Sequence, residues 1–107
     1  SQKMEGRKTV TMTFTGCGYG DVEHHNFKDA QGKEWDFYGV GHNYCGYRLC
    51  EGGPGDDMPS AGAKEYVNKK FRVVLNTIQV RTCIDWPDCT KFGFQKQTVV
   101  VSMVLVK

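Results

Sequence analysis

The chain has 107 residues, a length that suits one domain built around a single hydrophobic core. Hydrophobic residues make up 39% and charged residues 24% of the sequence, which excludes an intrinsically disordered chain. The net charge is only +2 and the basic residues are dispersed, so nothing indicates nucleic acid as a partner. No apolar run approaches the roughly 20 residues of a membrane-spanning helix. We therefore predict one domain over residues 1–107 without a membrane span.

A first strand is predicted at residues 9–16, TVTMTFTG. Val10, Met12 and Phe14 alternate there with threonines, which is the two-residue period of a half-buried strand. The glycines at positions 16, 18 and 20 then predict a bend or bulge.

Two further strands are predicted around residues 22–28 and over residues 34–40, with a turn at residues 29–33 between them. The third strand places Trp35 and Phe37 on one face. Its opposite face carries Glu34, Asp36 and Tyr38. Strands joined this closely form a hairpin.

The next stretch, residues 41–59, reads GHNYCGYRLCEGGPGDDMP. Its glycines and Pro54 predict sharp turns in a crossover connection, and Asp56 and Asp57 are expected to be solvated. Ser60 then precedes AGAKEYV, residues 61–67, where it would cap a short helix of one or two turns.

A fourth strand is predicted at residues 70–81. Its inward set begins with Phe71, Val73 and Leu75 and changes parity before Ile78 and Val80, so a bulge is expected near Asn76.

The last predicted strand is TVVVSMVLV, residues 98–106. One face carries Val99, Val101, Met103 and Leu105, and the other carries Val100, Val104 and Val106. Because both faces are apolar, the outer one needs a cover. A homodimer partner or the N-terminal segment would provide it.

Three strands, a short helix and two strands is the order of the OB-fold, a five-stranded Greek-key barrel. The segments HNFKDAQGKEWDF and EYVNKKFRVVL resemble small bacterial exported OB-fold proteins of uncharacterised function. Asn68 stands where those proteins often carry glycine, and asparagine tolerates the same left-handed backbone. A cysteine pair after the third strand, as at Cys45 and Cys50, also occurs among them. The resemblance implies an all-β, five-stranded OB-fold-like barrel with one short helix between strands three and four.

Five cysteines are many for a reducing compartment, so we expect a periplasmic or secreted protein. The first residue is Ser1 rather than Met, which predicts that a leader or a tag has been removed. The short spacings favour the bridges Cys45–Cys50 and Cys83–Cys89, with Cys17 left over. A rival arrangement ties Cys17 to Cys83 or Cys89.

Zinc is the first chemistry to weigh, because histidine and cysteine are its usual ligands. The spacing argues against it, since the sequence has no CxxC pair and the adjacent His24 and His25 would point to opposite faces of a strand. We assign no metal, no cofactor and no catalytic residue. If such a centre exists, Cys17 with His24 or His25 is its best location, as metal ligands or as an activated thiol.

In OB-folds, ligands lie across the second and third strands, beside the loops that join strands one and two and strands four and five. Here those loops carry Tyr19 and CIDWPDC, in which a Cys83–Cys89 bridge would hold Trp86 in place before a ligand binds. Exposed aromatic rings stack on sugars or bases. The predicted ligand-binding residues are Tyr19, Tyr38, Tyr44, Tyr47 and Trp86.

The sequence thus predicts a non-catalytic, exported binding or interaction module whose ligand is a saccharide, a peptide or another envelope protein. One alternative is a metal-binding or thiol-active protein centred on Cys17, His24 and His25. Another is a cytoplasmic nucleic-acid-binding OB module, which would show reduced cysteines and salt-sensitive affinity.

Overall fold

The computed structural model describes residues 3–20, 22–39, 42–53 and 58–107, and for residues 3–5 the backbone alone. The predictions for Val40, Pro54, Asp56 and Asp57 lie outside these ranges. The described strands are β1 (Lys3–Tyr19), β2 (Glu23–Asp29), β3 (Glu34–Gly39), β4 (Asn43–Tyr44), β5 (Tyr47–Arg48), β6 (Cys50–Glu51), β7 (Ala61–Gly62), β8 (Lys70–Cys83) and β9 (Phe92–Leu105). The prediction of an all-β chain is confirmed.

Five of these strands form one antiparallel sheet in the order β3–β2–β1–β8–β9. β1 lies at its centre because it is long enough to pair with two neighbours, β8 along its first part and β2 along its last. Its alternating pattern turns the apolar side chains towards the core, where Met12 is 1% and Phe14 is 0% exposed. The two-residue period therefore places this strand correctly.

The core lies on one face of the sheet and is dominated by aromatic rings. The ring of Phe27 has its centroid 5.2 Å from that of Phe14, 5.7 Å from Phe37 and 5.9 Å from Phe71. The loop after β3 covers this cluster with Leu49, which is fully buried. The buried cluster consists of Met12, Phe14, Phe27, Phe37, Leu49, Cys50, Phe71, Val73, Leu75 and Met103.

The sheet is open, so the expected closed barrel is wrong. β3 pairs only with β2, and β9 pairs only with β8, among the residues that the structure describes. The rings of Phe37 and Tyr44 and the side chain of Val100 line a groove between the two outer strands. The two outer strands are therefore separated by a groove instead of being joined by hydrogen bonds.

The short helix predicted at residues 61–67 is also absent. Ala61 and Gly62 form β7, which pairs with β6, and the amides of Tyr66 and Val67 both bond to the carbonyl of Ala63, at 3.0 Å each. This single turn ends at Asn68, whose φ of 69° is the left-handed conformation expected there. Pairing with β6 thus outweighs the helical preference of the alanines.

Register shifts lie on both sides of Asn76, where a bulge is predicted. One shift lies between Met4 and Arg7 on β1. Within this irregular stretch, the amide of Gly6 donates a hydrogen bond of 3.2 Å to Asn76 Oδ1. The other lies between Val74 and Leu75 in their pairing with β9. There Ser102 pairs with Val74 and Val100 pairs with Leu75, so Val101 is the extra residue of the bulge.

This bulge corrects the predicted faces of the last strand. Val100 packs against the core together with Met103 and Leu105, whereas Val101 is 40% exposed. The strand also begins earlier than predicted, at Phe92 rather than at residue 98. Val104, on the outer face, is 55% exposed, and a homodimer through that face stays a prediction.

Beyond Gln79, β8 and β9 continue as a two-stranded arm, because among the described residues β1 pairs no further along β8. The arm ends in a loop at residues 84–91. In its β9 half the side chains of residues 94–98 are exposed and residues 95–98 are polar, so no apolar period marks these residues as strand. The part of the chain that is described contains no helix of the length and hydrophobicity that crossing a membrane requires.

Candidate binding groove and disulfide centre

A groove of about 330 Å³ lies between the outer edges of β3 and β9. Its β3 wall is formed by Asp36, Phe37 and Tyr38, and its β9 wall by residues 97–100. Its volume is at the lower end of the range for ligand pockets. Both walls are sheet edges, and exposed edges carry backbone amide and carbonyl groups that can pair with another chain.

The floor of the groove is aromatic. The ring of Tyr44 lies nearly parallel to that of Phe37, at an angle of 11° and a centroid distance of 6.2 Å. Burial, and to a smaller extent the nearby Cys45, raises the pKa of Tyr44 to about 12, so its phenol is neutral. Phe37 is 8% exposed. A ligand entering the groove therefore meets aromatic rings on its floor, with the polar residues Asp36, Gln97 and Thr98 also in its lining.

The rim on the β3 side is polar and exposed. His24 Nδ1 lies 3.0 Å from an Asp36 carboxylate oxygen, and the Tyr38 ring meets the His24 ring edge-on at 4.8 Å. Tyr38 is 68% exposed. The outward face of β3 thus offers one carboxylate and one accessible aromatic ring beside the groove.

Of the predicted ligand-binding residues, only Tyr38 and Tyr44 line this groove. Tyr19 is exposed at the end of β1. Tyr47 packs against Phe71 at 5.3 Å, and its hydroxyl accepts a hydrogen bond of 2.9 Å from the amide of Leu105. Tyr47 therefore anchors its loop to the core. The five predicted ligand-binding residues are not brought together in one site.

Trp86 stands at the tip of the arm and is 81% exposed. The predicted Cys83–Cys89 pair is present beneath it, with a Cα–Cα distance of 5.1 Å. Asp85 accepts hydrogen bonds from the Thr90 hydroxyl and from the amides of Lys91 and Thr90, and these bonds hold the pKa of its carboxyl below the usual value. The loop that presents Trp86 is thus ordered before any partner arrives.

The second disulfide joins Cys17 to Cys50, with a Cα–Cα distance of 5.9 Å. The predicted Cys45–Cys50 bridge is therefore wrong, and so is the rival bridge from Cys17 to the arm. Cys45 sits at the tip of the tight hairpin between β4 and β5, where its φ is 51°, and it is the free, exposed cysteine of the described chain. Short sequence spacing misleads here because the fold lays Leu49 and Cys50 against β1.

His25 lies beside this disulfide and is 0% exposed. Its Nδ1 is 3.4 Å from Cys50 Sγ, and its ring lies 4.7 Å from that of Tyr44. Desolvation, partly offset by Asp36 and reinforced by His24, lowers the pKa of His25 to about 4, so the ring is neutral at pH 7. As predicted, His24 points to the opposite face, so it is not part of this cluster.

The other buried polar side chains do not form a catalytic arrangement among the described residues. Glu23, 4% exposed, has one carboxylate oxygen 3.6 Å from His42 Nε2. That same nitrogen donates to the carbonyl of Gly52 at 2.7 Å. The Nε2 of His42 is thus engaged with the backbone.

Sequence reasoning missed the β9 wall of the groove and the pairing of Cys17 with Cys50. Residues 95–98 are all polar, so no apolar alternation in the sequence extends the last strand back towards Phe92. No local signal marks the disulfide, because its cysteines are 33 residues apart. Comparison with protein-family models, curated proteins and solved structures finds no match to the chain.

Proposed function

We propose that this chain is a non-catalytic binding module that takes up an extended polypeptide segment by strand addition in the groove between β3 and β9. The observation that carries the proposal is the pair of sheet edges that face the same groove without a strand between them, among the described residues. Strand addition uses the backbone of the ligand for affinity and alternate side chains for specificity.

The directions of the two edges suit a single added strand. β3 and β9 each lie two antiparallel pairings away from β1, so both run in the direction of β1. A peptide that runs the opposite way is antiparallel to both walls at once. Antiparallel ladders are slightly more stable per residue than parallel ones, so this orientation is favoured.

The side chains of the walls define the sequence that such a peptide should have. Inward-facing positions would pack against Phe37, Tyr44 and Val100, which favours β-branched or aromatic residues. Outward-facing positions would lie beside Asp36 and Tyr38, which favours lysine, arginine or threonine. The ligand is therefore a segment that alternates apolar with basic or hydroxyl side chains.

The test is fluorescence anisotropy with a labelled heptapeptide that alternates valine with lysine and threonine. We expect binding by the parent protein, and a loss of about fivefold in affinity, roughly 1 kcal/mol, for Tyr38→Ala. The matched control is Tyr19→Ala, which also removes an exposed tyrosine but lies outside the groove. Both variants should unfold at the same denaturant concentration as the parent, because neither side chain is buried.

A second peptide with proline at its central position separates strand addition from other binding. Proline lacks the amide that a ladder needs, so this peptide should not bind. Equal binding of the two peptides, or equal losses for the two tyrosine variants, would contradict the proposal.

The same proposal places the module in the periplasm or outside the cell. Its support is the pair of disulfides, since such bonds persist mainly in oxidising compartments. Alkylation of the protein extracted under denaturing conditions without reductant tests this, and modification of Cys45 alone is the expected result.

A further inference from the structure

Cys17, Cys50 and His25 bring three metal-binding side chains into one small volume. One ligand atom from each lies within 4.8 Å of the other two. Cys17 belongs to β1, Cys50 to β6 and His25 to β2. The fold therefore brings together residues whose spacing in the sequence does not indicate a cluster. His25 and Cys50 are fully buried while Cys17 is half-buried, so an ion would approach from the side of Cys17.

The His25 ring is held in an orientation that suits ligation. Nδ1 faces Cys50 Sγ at 3.4 Å, and the Tyr44 ring packs against the imidazole. Gly39 makes room on the other side, because a Cβ at this position would lie 2.5 Å from His25 Nε2. The buried ring is neutral, which is the form that binds metal ions.

We propose that reduction of the Cys17–Cys50 disulfide turns this cluster into a zinc site with two thiolates and one imidazole, whose fourth position is open to water or a ligand. Two cysteines and one histidine is a ligand set that zinc accepts in tetrahedral geometry. With zinc–sulfur distances of about 2.3 Å, the two sulfurs would move to about 3.8 Å apart.

The conversion of the disulfide into the zinc site takes two steps, and atoms and electrons balance in each. A small dithiol gives two electrons and two protons to the Cys17–Cys50 bond and itself becomes a disulfide, so one sulfur–sulfur bond breaks and two thiols form. Zn²⁺ then replaces the two thiol protons, which pass to solvent, while the Nδ1 lone pair of His25 completes the set and the imidazole proton stays on Nε2.

The test uses a variant in which Cys45, Cys83 and Cys89 are replaced by serine, so that Cys17 and Cys50 are the remaining cysteines. This variant is the parent protein for the experiments on the metal site. It is reduced with a dithiol, freed of reductant without oxygen and titrated with Co²⁺. We expect one equivalent to bind, with thiolate-to-cobalt charge transfer and the ligand-field bands of a tetrahedral site, both lost when Zn²⁺ displaces it. The unreduced parent should show neither signal.

Two histidine variants identify the third ligand. His25→Gln should weaken Co²⁺ binding tenfold or more, whereas His24→Gln, on the same strand but facing outward, should bind like the parent. Because His25→Gln can also impair folding, X-ray absorption of the zinc-loaded parent provides a second measure, with two sulfurs and at least one imidazole expected. Failure of the reduced parent to take up the metal, equal losses in the two variants, or a spectrum without imidazole would overturn the proposal.

Discussion

At the scale of single residues, the aromatic core and the exposed aromatics play different parts. Phe27 is 1% exposed and contacts three other phenylalanines, so its ring is part of the packing that defines the core. Trp86 is 81% exposed, so its ring contributes little to folding and is available to a partner.

Truncation of these two rings should therefore have unequal effects on stability. Phe27→Ala is expected to lower the free energy of unfolding by about 3–5 kcal/mol, because it removes buried surface and leaves a cavity. Trp86→Ala should change it by less than about 0.5 kcal/mol. Urea unfolding followed by circular dichroism measures both, and similar losses would show that Trp86 packs against the folded chain.

His25 makes the stability of the disulfide-bonded protein depend on pH. Its pKa is about 4 when folded and near the ordinary 6.5 when unfolded. Between these values the unfolded chain binds a proton that the folded chain does not, so stability is full above pH 6.5 and is lost as the pH falls towards 4. The loss over this window is on the order of 3 kcal/mol.

Urea unfolding at a series of pH values checks this dependence. His25→Gln should have a flatter profile than the parent between pH 6.5 and 4. A parent profile that is already flat in this window would contradict the account of His25.

At the scale of elements, the sequence pattern predicted the main strands and the irregularities near Gly16 and Asn76, but not that the last strand carries the extra residue. Phe37 and Trp35 face the core side of β3, as their alternation with acidic residues indicates. The faces of the last strand could not be read correctly, because the extra residue Val101 reverses the alternation and has no distinctive sequence signal. Ala61 and Gly62, predicted as the start of a helix, form a strand because they pair with β6.

The two disulfides constrain loops of different length and should differ in their contribution to stability. Cys17–Cys50 closes a loop with a sequence separation of 33, and Cys83–Cys89 closes one with a separation of 6. In the chain-entropy picture these correspond to about 4 and about 2 kcal/mol. The double serine variants of each pair, compared by denaturant unfolding, should show that order, and a larger loss at the arm would contradict it.

At the scale of the whole molecule, the open sheet is the property that the sequence did not reveal. Tyr38 and Tyr44 could be selected as ligand contacts from their positions beside the third strand, whereas residues 97–100 entered the site only through the three-dimensional arrangement. Closure of a sheet depends on how the two outer strands approach each other. Phe37 reads as an ordinary core residue in the sequence, yet it also lines the space between those strands.

The groove between the unpaired edges of β3 and β9 also predicts how the molecule responds to its ligand. An added strand would convert both exposed edges into central strands, and the new ladder would protect amides on two walls that are far apart in sequence. A ligand that stacks on exposed tyrosines would protect neither wall.

Amide hydrogen exchange of the protein, free and with the alternating heptapeptide, tests this central claim most directly. The account predicts slower exchange for the outward-pointing amides of residues 36–38 and of residues 97–100 in the same complex, with the arm loop at residues 84–91 unchanged. Protection of one wall alone, or of neither wall when the peptide is bound, would contradict strand addition in the groove.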